Sequence, residues 1–533
     1  MVFISYSSKD VEDVKRLAAF VESTGQKCWY SDRDIDKSKD DWMEVLMRTL
    51  KQSEKVIVYI TDNAIKSGEV KNEITNASAQ GLNVIPLIAQ DVIIPDSYIY
   101  LIRKYEWIKG YMLDDKTVKD ILRKRLLENY NEMRNSFWKT QQTKEFEEFV
   151  DSLMKRYYGS RFFTKINDKE FGVFCVPGKR QPSVRSIKDF DILCDFDNSV
   201  LSDFDIYEHQ SYTNNKWYAE YSKILEGKLR YPNRPGYMLD EITTDTDGCF
   251  DKLRVHVGTF AENVYSTHVL EYELYRAYLE FKGKNLDNLD IWQKVKESLS
   301  IRNKIHENAL NSFENNFDSC IYSSLLSGNG RDSLLSVQML VIIKSERTHK
   351  YEAKIIQRSN DVIIKPGMYQ FIPSGGFEIL NDSDDDIYDD LELEDNFSPG
   401  CAVFREYLEE LFNVPEFEGG GTGSIEERLL KDKRIMEIED MLHNGDAEFQ
   451  FLGSVIDLAG LRHELSFVLV IHDETYSKTQ FLANEESKKG AIYNIPIQDL
   501  ENRASIWKKI HAPSAAMWYL FKQTQLYQSL IRE

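Results

Sequence analysis

The segment Arg405-Glu406-Tyr407-Leu408-Glu409-Glu410-Leu411 sets three carboxylates at i, i+3 and i+4. On a helix these share one face, while Tyr407, Leu408 and Leu411 point the other way, into a core. Clustered carboxylates repel one another unless a divalent cation neutralises them, and hard Mg2+ or Mn2+ suits oxygen ligands. A metal on Glu406, Glu409 and Glu410 could activate water and clamp a diphosphate. Arg405, four residues before Glu409, could orient it. Other polar groups gather near the N-terminus: Ser5–Ser8, the loop after Tyr30 and the segment Ser67–Glu73. Parallel α/β sheets bind ligands at the carboxyl ends of their strands, where these three segments would converge. His268 beside Glu271 and Glu273, and His463 beside Glu464, lack a partner that would make a metal or catalytic set, and they read as structural.

The elements that must position these groups follow from periodicity. Val2–Ser5 is a short apolar strand. Val11, Val14, Leu17 and Val21 share one face of a helix that Gly25 stops. Lys27–Tyr30 is a second strand, and Trp42, Val45, Leu46, Thr49 and Leu50 mark a helical stripe. Lys55–Ile60 and Asn83–Ile88 are rich in β-branched residues, with a helix carrying Val70, Ile74 and Ala77 between them. This order predicts a parallel sheet covered by helices on both faces. Residues 116–158 read as charged connecting helices. Between 160 and 330, Asp189–Cys194 and Leu253–Val257 read as strands, and Thr267–Lys282 and Asp290–Leu310 as helices. Strands return at Leu335–Lys344, Ala353–Gln357 and Met368–Ile372. An acidic stretch at 381–395, most simply a solvated loop, precedes a helix at 401–412. Strands Glu448–Val455 and Glu464–His472 and helices at 498–510 and 513–531 close the chain. The expected division is 1–125, a helical connector 126–160, a middle domain 161–330 and an α/β region 331–533.

The 533 residues suggest three or four domains, and 42% hydrophobic with 12% aromatic residues can build ordinary cores. A net charge of −21 repels phosphate backbones and argues against nonspecific nucleic-acid binding. The six cysteines are scattered with no CxxC pair, which argues against a disulfide scaffold or zinc module. The opening MVFISYSSKD lacks a basic-then-apolar leader, and no uncharged apolar run approaches the roughly 18 residues of a membrane span. The expectation is a cytoplasmic protein without a membrane partner.

Residues 1–125 resemble the TIR family. VFISYSSKD matches its first-strand box, GQKCWYSDRDIDKSKDDW its second strand and BB loop, KSGEVKNEITNA the segment holding its catalytic glutamate, and NVIPLI its fourth strand. The resemblance implies a flavodoxin-like parallel sheet and, in members that cleave NAD+, a glutamate that here is Glu73. It also implies NAD+ contacts from Tyr6, Ser7, Ser8, Asp32, Arg33, Asp34, Ser67 and Glu69. Breaking the nicotinamide–ribose bond passes through an oxocarbenium-like cation, which one nearby carboxylate can stabilise. Nicotinamide in NAD+ is already a cationic leaving group and needs no general acid. The match departs from the family where NAD+-cleaving members often carry tryptophan, here Glu69, and where the BB loop usually carries proline–glycine, here Lys37–Ser38. Trp29 and Tyr30 could supply the missing aromatic wall, though Trp29 reads better as core. TIR domains that serve as adaptors usually lack the acidic residue.

The segment Pro373-Ser374-Gly375-Gly376-Phe377-Glu378 followed by Ala402–Leu411 resembles the Nudix box, whose helix reads R-E-apolar-x-E-E. The resemblance implies possible metal ligands Glu406, Glu409 and Glu410 and ligand-binding groups Gly375, Gly376, Glu378 and Arg405. The family's box is continuous, whereas here the acidic insertion separates Gly376 from Arg405. Phe397 stands where the box has glutamate, and Phe412 where it has its closing glycine. A broken box suits a domain that binds a nucleotide better than a hydrolase. Together the two resemblances match bacterial antiphage effectors, in which a C-terminal sensor drives TIR–TIR assembly and NAD+ destruction. The implied signal is a nucleotide or ADP-ribose-like ligand. The alternatives are a non-catalytic TIR scaffold and a Nudix hydrolase of ADP-ribose-like diphosphates.

Overall fold

The computed structural model describes the chain except residues 36–41, 81, 103–104, 106, 110–115, 128–129, 167–168, 180–182, 191, 197–215, 226–234, 311–316, 360–366, 380–396, 415–424, 483–486 and 533. The acidic stretch at 381–395 and the Lys37–Ser38 pair lie outside the described residues. The chain forms two compact units, Met1–Trp138 with Asp205–Pro232, and Lys139–Phe204 with Asn233–Glu533.

The first unit is built on β1 (Val2–Ser5), β2 (Cys28–Trp29), β3 (Lys55–Ile60), β4 (Asn83–Ile88) and β5 (Ile108–Lys109). All neighbouring pairs run parallel, in the order β2-β1-β3-β4-β5. This is the flavodoxin-like order, whose reversal point lies between β1 and β3. Alternation along the strands divides the side chains between two cores. Val2, Ile4, Ile57, Tyr59, Ile85 and Leu87 pack with α1 (Val11–Ser23) through Val14, Leu17 and Val21. Phe3, Val56, Val58 and Ile60 face α2 (Trp42–Gln52), α3 (Gly68–Ala79) and α4 (Asp96–Ile102). Helices therefore cover both faces, as the strand–helix alternation predicts. Trp29 stacks on Phe3 with centroids 4.7 Å apart and belongs to the core. The described segment Lys216–Leu225 also belongs to this unit, with Tyr221 edge-on to Phe137.

The second unit holds a mixed sheet. Its main path runs β14 (Tyr369–Phe371), β13 (Tyr351–Arg358), β12 (Ser336–Lys344), β17 (His463–Ile471), β16 (Ala447–Asp457) and β8 (Val173–Pro177). Strand β15 (Ser374–Gly376) pairs with β12, and β18 (Ser487–Pro496) with β13. One face packs on the C-terminal helix Ala512–Lys522 through Trp518, Met517 and Phe521. Because β8 pairs with β16, a division at 330/331 would cut this sheet. The stretch 161–330 supplies a hairpin, Pro235–Thr244 with Phe250–Thr259, to the second unit and Lys216–Leu225 to the first.

Three sequence expectations differ locally. Asp189–Cys194 is not a strand: Ser186 caps a short turn at Ile187–Asp189, and extended structure begins at Cys194. Asp290–Leu310 is two helices, Leu289–Ser298 and Ser300–Leu310, because the buried Glu273 carboxylate accepts the backbone N–H groups of Ile301 and Arg302 and starts a new helix there. The C-terminal helices are broken into shorter pieces, with Thr524 capping the last, Gln525–Leu530. Among the described residues no helix is long and apolar enough to cross a membrane.

Candidate active site and glutamate helix

Ser5 ends β1, and its hydroxyl donates to Glu73 Oε2 at 2.5 Å. Glu73 projects from the second turn of α3, a helix started by Ser67, whose side chain accepts the Val70 N–H at 3.3 Å. The i, i+4 step from Val70 to Ile74 and on to Ala77 anchors α3 in the core and turns Glu73 inward beside them. The carboxyl is 9% exposed. Burial pushes it up to about 7, the Ser5 hydrogen bond pulls it back, and the Glu69 charge one turn earlier pushes it further up. Near neutral pH the group therefore passes between an acid and a carboxylate that can face a developing cation.

The rest of the carboxyl edge is built from the loops after β1, β2 and β3. Tyr6 is buried, and its hydroxyl accepts the Asp32 N–H at 3.1 Å and the Ser31 hydroxyl at 3.3 Å. This fastens the start of the Asp32–Asp34 turn to β1. Ser7 is buried, whereas Ser8, Asp32, Arg33, Asp34 and Glu69 are exposed. Arg33 is held within its own surroundings by Glu22 at 2.6 Å and Asp34 at 2.9 Å, and it lies 4.7 Å over the Tyr30 ring. Asp10, which sequence reasoning did not single out, is buried at the β1–β3 reversal point. There it accepts the Thr61 hydroxyl at 2.6 Å and the Asn63 amide at 2.7 Å. The Asp in the SSKD box was the signal; its partners are 51 and 53 residues away and carried none.

In the second unit the glutamate-bearing helix, α5 (Pro399–Phe412), begins at Ser398, whose hydroxyl accepts the Cys401 N–H, and stops at left-handed Asn413. Tyr407, Leu408 and Leu411 are fully buried, as the spacing predicts. Arg405 is buried too. Its guanidinium donates to the carbonyls of Gly376 at 3.0 Å and Glu378 at 3.2 Å and to Glu406 Oε1 at 2.7 Å, with Glu409 at 3.7 Å from Nε. Burial works against this charge, while Glu406, Glu409 and Glu378 hold it above the ordinary arginine range. Glu410 accepts the Ser374 N–H at 3.2 Å. A Cβ on Gly375 would lie 2.1 Å from the Glu406 carboxyl carbon, so any larger residue here must push the Glu406 carboxylate off its place beside Arg405. Arg405 ties the Gly-Gly strand to the helix across the sequence insertion.

The carboxylates are thus served by a guanidinium and a backbone N–H. Among the described residues no group of three His, Cys, Asp or Glu side chains is arranged to hold a metal ion. As placed, Glu406 and Glu409 face the Arg405 guanidinium while Glu410 faces the Ser374 N–H, so the three carboxylates do not converge as an Mg2+ cage requires. His268, driven down to about 4 by burial and Arg462, and His463, driven down to about 3 by burial, sit neutral in the interior. His463 bonds the Leu325 carbonyl.

Residues 2–123 match the TIR-domain family model. The first unit thus carries a TIR domain. Solved structures similar to parts of the chain include the TIR domain of the Toll-related receptor TRR-2 from Hydra magnipapillata, at 20% identity and a TM-score of 0.20, covering 23% of this chain and 96% of that one. The NUDIX domain of Shewanella oneidensis NrtR, solved with ADP ribose, matches at 13% identity and a TM-score of 0.21, covering 36% and 88%. A NUDIX hydrolase from Alicyclobacillus acidocaldarius matches at 14% identity and a TM-score of 0.22, covering 38% and 96%. No curated protein matches.

Proposed function

We propose that the TIR domain cleaves NAD+ at the nicotinamide–ribose bond, with Glu73 as the catalytic carboxylate. The observation that carries this reading is the placement of Glu73 against Ser5, the last residue of β1, at the sheet edge where parallel α/β folds bind ligands. In its ionised form Glu73 would stabilise the ribosyl cation as nicotinamide leaves, while a buried, low-dielectric setting strengthens that attraction. Tyr6, Ser7, Ser8, Asp32, Arg33, Asp34, Ser67 and Glu69 border the substrate in this reading. Glu73 is nearly shut from solvent in this state. Activity therefore requires a rearranged state, and TIR–TIR assembly into a homo-oligomer is the proposed route to it. The Nudix-like region, with Gly375, Gly376, Glu378 and Arg405 at its centre, would bind a nucleotide or ADP-ribose-like signal more tightly in the assembled form and shift the population toward it. A cytoplasmic antiviral effector that depletes NAD+ is the role consistent with these parts.

The test is to incubate concentrated full-length protein with NAD+, with and without candidate nucleotides, and measure free nicotinamide. Release that vanishes in Glu73→Gln supports the reading, and release that persists in that variant overturns the assignment. The guanidinium at the centre of the glutamate helix favours binding over hydrolysis in the second unit. Magnesium-dependent release of AMP from ADP-ribose, abolished by Glu409→Gln and Glu410→Gln, would reverse that preference.

A further inference from the structure

Tyr98 lies on α4, the helix packed against α3, and both belong to the core on one face of the parallel sheet. Its side chain is 1% exposed. Among the described residues its hydroxyl has no hydrogen-bond partner. A phenol buried this completely normally finds one, because an unmet O–H loses its hydration without compensation. Phenylalanine would fill the same space without that penalty, so the hydroxyl is not explained by packing. The carboxylate whose charge reaches this phenol is Glu73, which together with burial keeps the phenol from ionising. Among the described residues Glu73 in turn makes one hydrogen bond, from Ser5 to Oε2, although a carboxylate can accept several. Across the α3–α4 contact, a donor without an acceptor therefore stands near an acceptor with spare capacity.

We propose that Tyr98 is a positioning residue for Glu73: in the ionised, substrate-engaged form its phenolic O–H donates to the carboxylate, so that Ser5 and Tyr98 hold Glu73 from two sides. This rests on the reading of Glu73 as the carboxylate that faces the ribose. The contact forms when a small rotation of the Glu73 side chain, or closure of α4 on α3, brings the two groups together. Among the described residues the side chains acting on Glu73 are Ser5 from β1, which donates to it, and Glu69 from α3 itself, which opposes its charge; the Glu73 charge in turn reaches Tyr98 on α4. In the engaged form Tyr98 would add a second donor. Tyr98 thereby makes ionisation of Glu73 easier in the engaged state and fixes the direction in which the carboxylate points.

The test is Tyr98→Phe in the full-length protein, with Tyr98→Met as a second variant that also removes the hydroxyl. Carboxyl 13C NMR, with Glu73 assigned by its loss in Glu73→Gln, follows the Glu73 titration with and without bound nicotinamide-free ADP-ribose. In the bound form Tyr98→Phe is expected to raise the midpoint by about one pH unit, tenfold in the ionisation constant. The acid limb of nicotinamide release should move upward by the same amount. At pH 7, kcat should fall several-fold with KM changed less than twofold. A side chain that serves packing alone would change thermal stability and leave both midpoints in place, and that result would overturn the proposal. The NMR arm separates the two ideas. A shifted midpoint in a protein that releases no nicotinamide keeps the Tyr98–Glu73 contact and removes the catalytic reading. Nicotinamide release with an unshifted midpoint keeps the catalytic reading and removes Tyr98 from it.

Discussion

Replacing Glu73 by glutamine should stabilise the TIR domain at neutral and alkaline pH while leaving it nearly unchanged in acid. Glutamine keeps the shape and still accepts the Ser5 hydroxyl, so the comparison isolates the charge. In the folded protein the carboxyl is pushed up to about 7 from an ordinary 4.5, chiefly by burial. The folded state therefore holds its proton over a range in which the unfolded chain has released it. For an acid raised in this way the sign is unfavourable at high pH. Stability is complete below about 4.5, falls as pH climbs from about 4.5 to about 7, and is flat above. The difference of 7 − 4.5 units, at about 1.4 kcal/mol each, corresponds to about 3.5 kcal/mol lost by wild type and retained by the variant. In a domain of this size that is on the order of 10 °C in the midpoint. Calorimetric unfolding of the full-length protein at several pH values between 4 and 8.5 resolves it, every transition being compared between wild type and Glu73→Gln. Wild-type and variant midpoints that run parallel across this range would refute the argument. They would mean that Glu73 reaches water freely and that its burial against Ser5 does not describe the molecule in solution.

Gly375→Ala should destabilise the second unit by about 1–3 kcal/mol, because the new methyl group meets the Glu406 carboxyl and displaces it from Arg405; urea unfolding measures it. Arg405→Ala removes the cation between Glu406 and Glu409 and should cost about 3–5 kcal/mol by the same assay, with millimolar Mg2+ giving no rise in the wild-type unfolding midpoint. His256 sits between Asp240 at 2.7 Å and Asp332 at 3.8 Å, and although burial opposes its charge these carboxylates raise it to about 9. Its contribution to stability is complete below about pH 6.5 and is lost as pH rises through about 9. His256→Gln should therefore flatten the pH dependence of unfolding across that window.

The parts of this molecule legible in the sequence are those in which one short segment contains both the cause and the result. The face of α1 follows from Val14, Leu17 and Val21, the turn inward of Tyr407, Leu408 and Leu411 from their spacing, and the covering of both sheet faces from the strand–helix alternation. Glu73 was found through its motif, and Ser5 fell within another, yet nothing in either motif says that the two meet 68 residues apart. The pairs that shape both sites are of this distant kind. Asp10 bonds Thr61, Arg405 reaches back to the carbonyls of Gly376 and Glu378, and β8 joins a strand nearly three hundred residues later. The carboxylates of the glutamate helix show what this hides. By spacing alone, Glu406, Glu409 and Glu410 ask for a cation, and a divalent metal is the natural supposition. The fold offsets one of those three charges with Arg405 from the same helix, held by carbonyls that only the tertiary structure brings near. A charge pattern therefore states that neutralisation is needed, and packing decides what supplies it. In this chain part of the supply is a guanidinium on the same helix, whose single positive charge lies against Glu406 and Glu409 while Glu410 takes a backbone N–H.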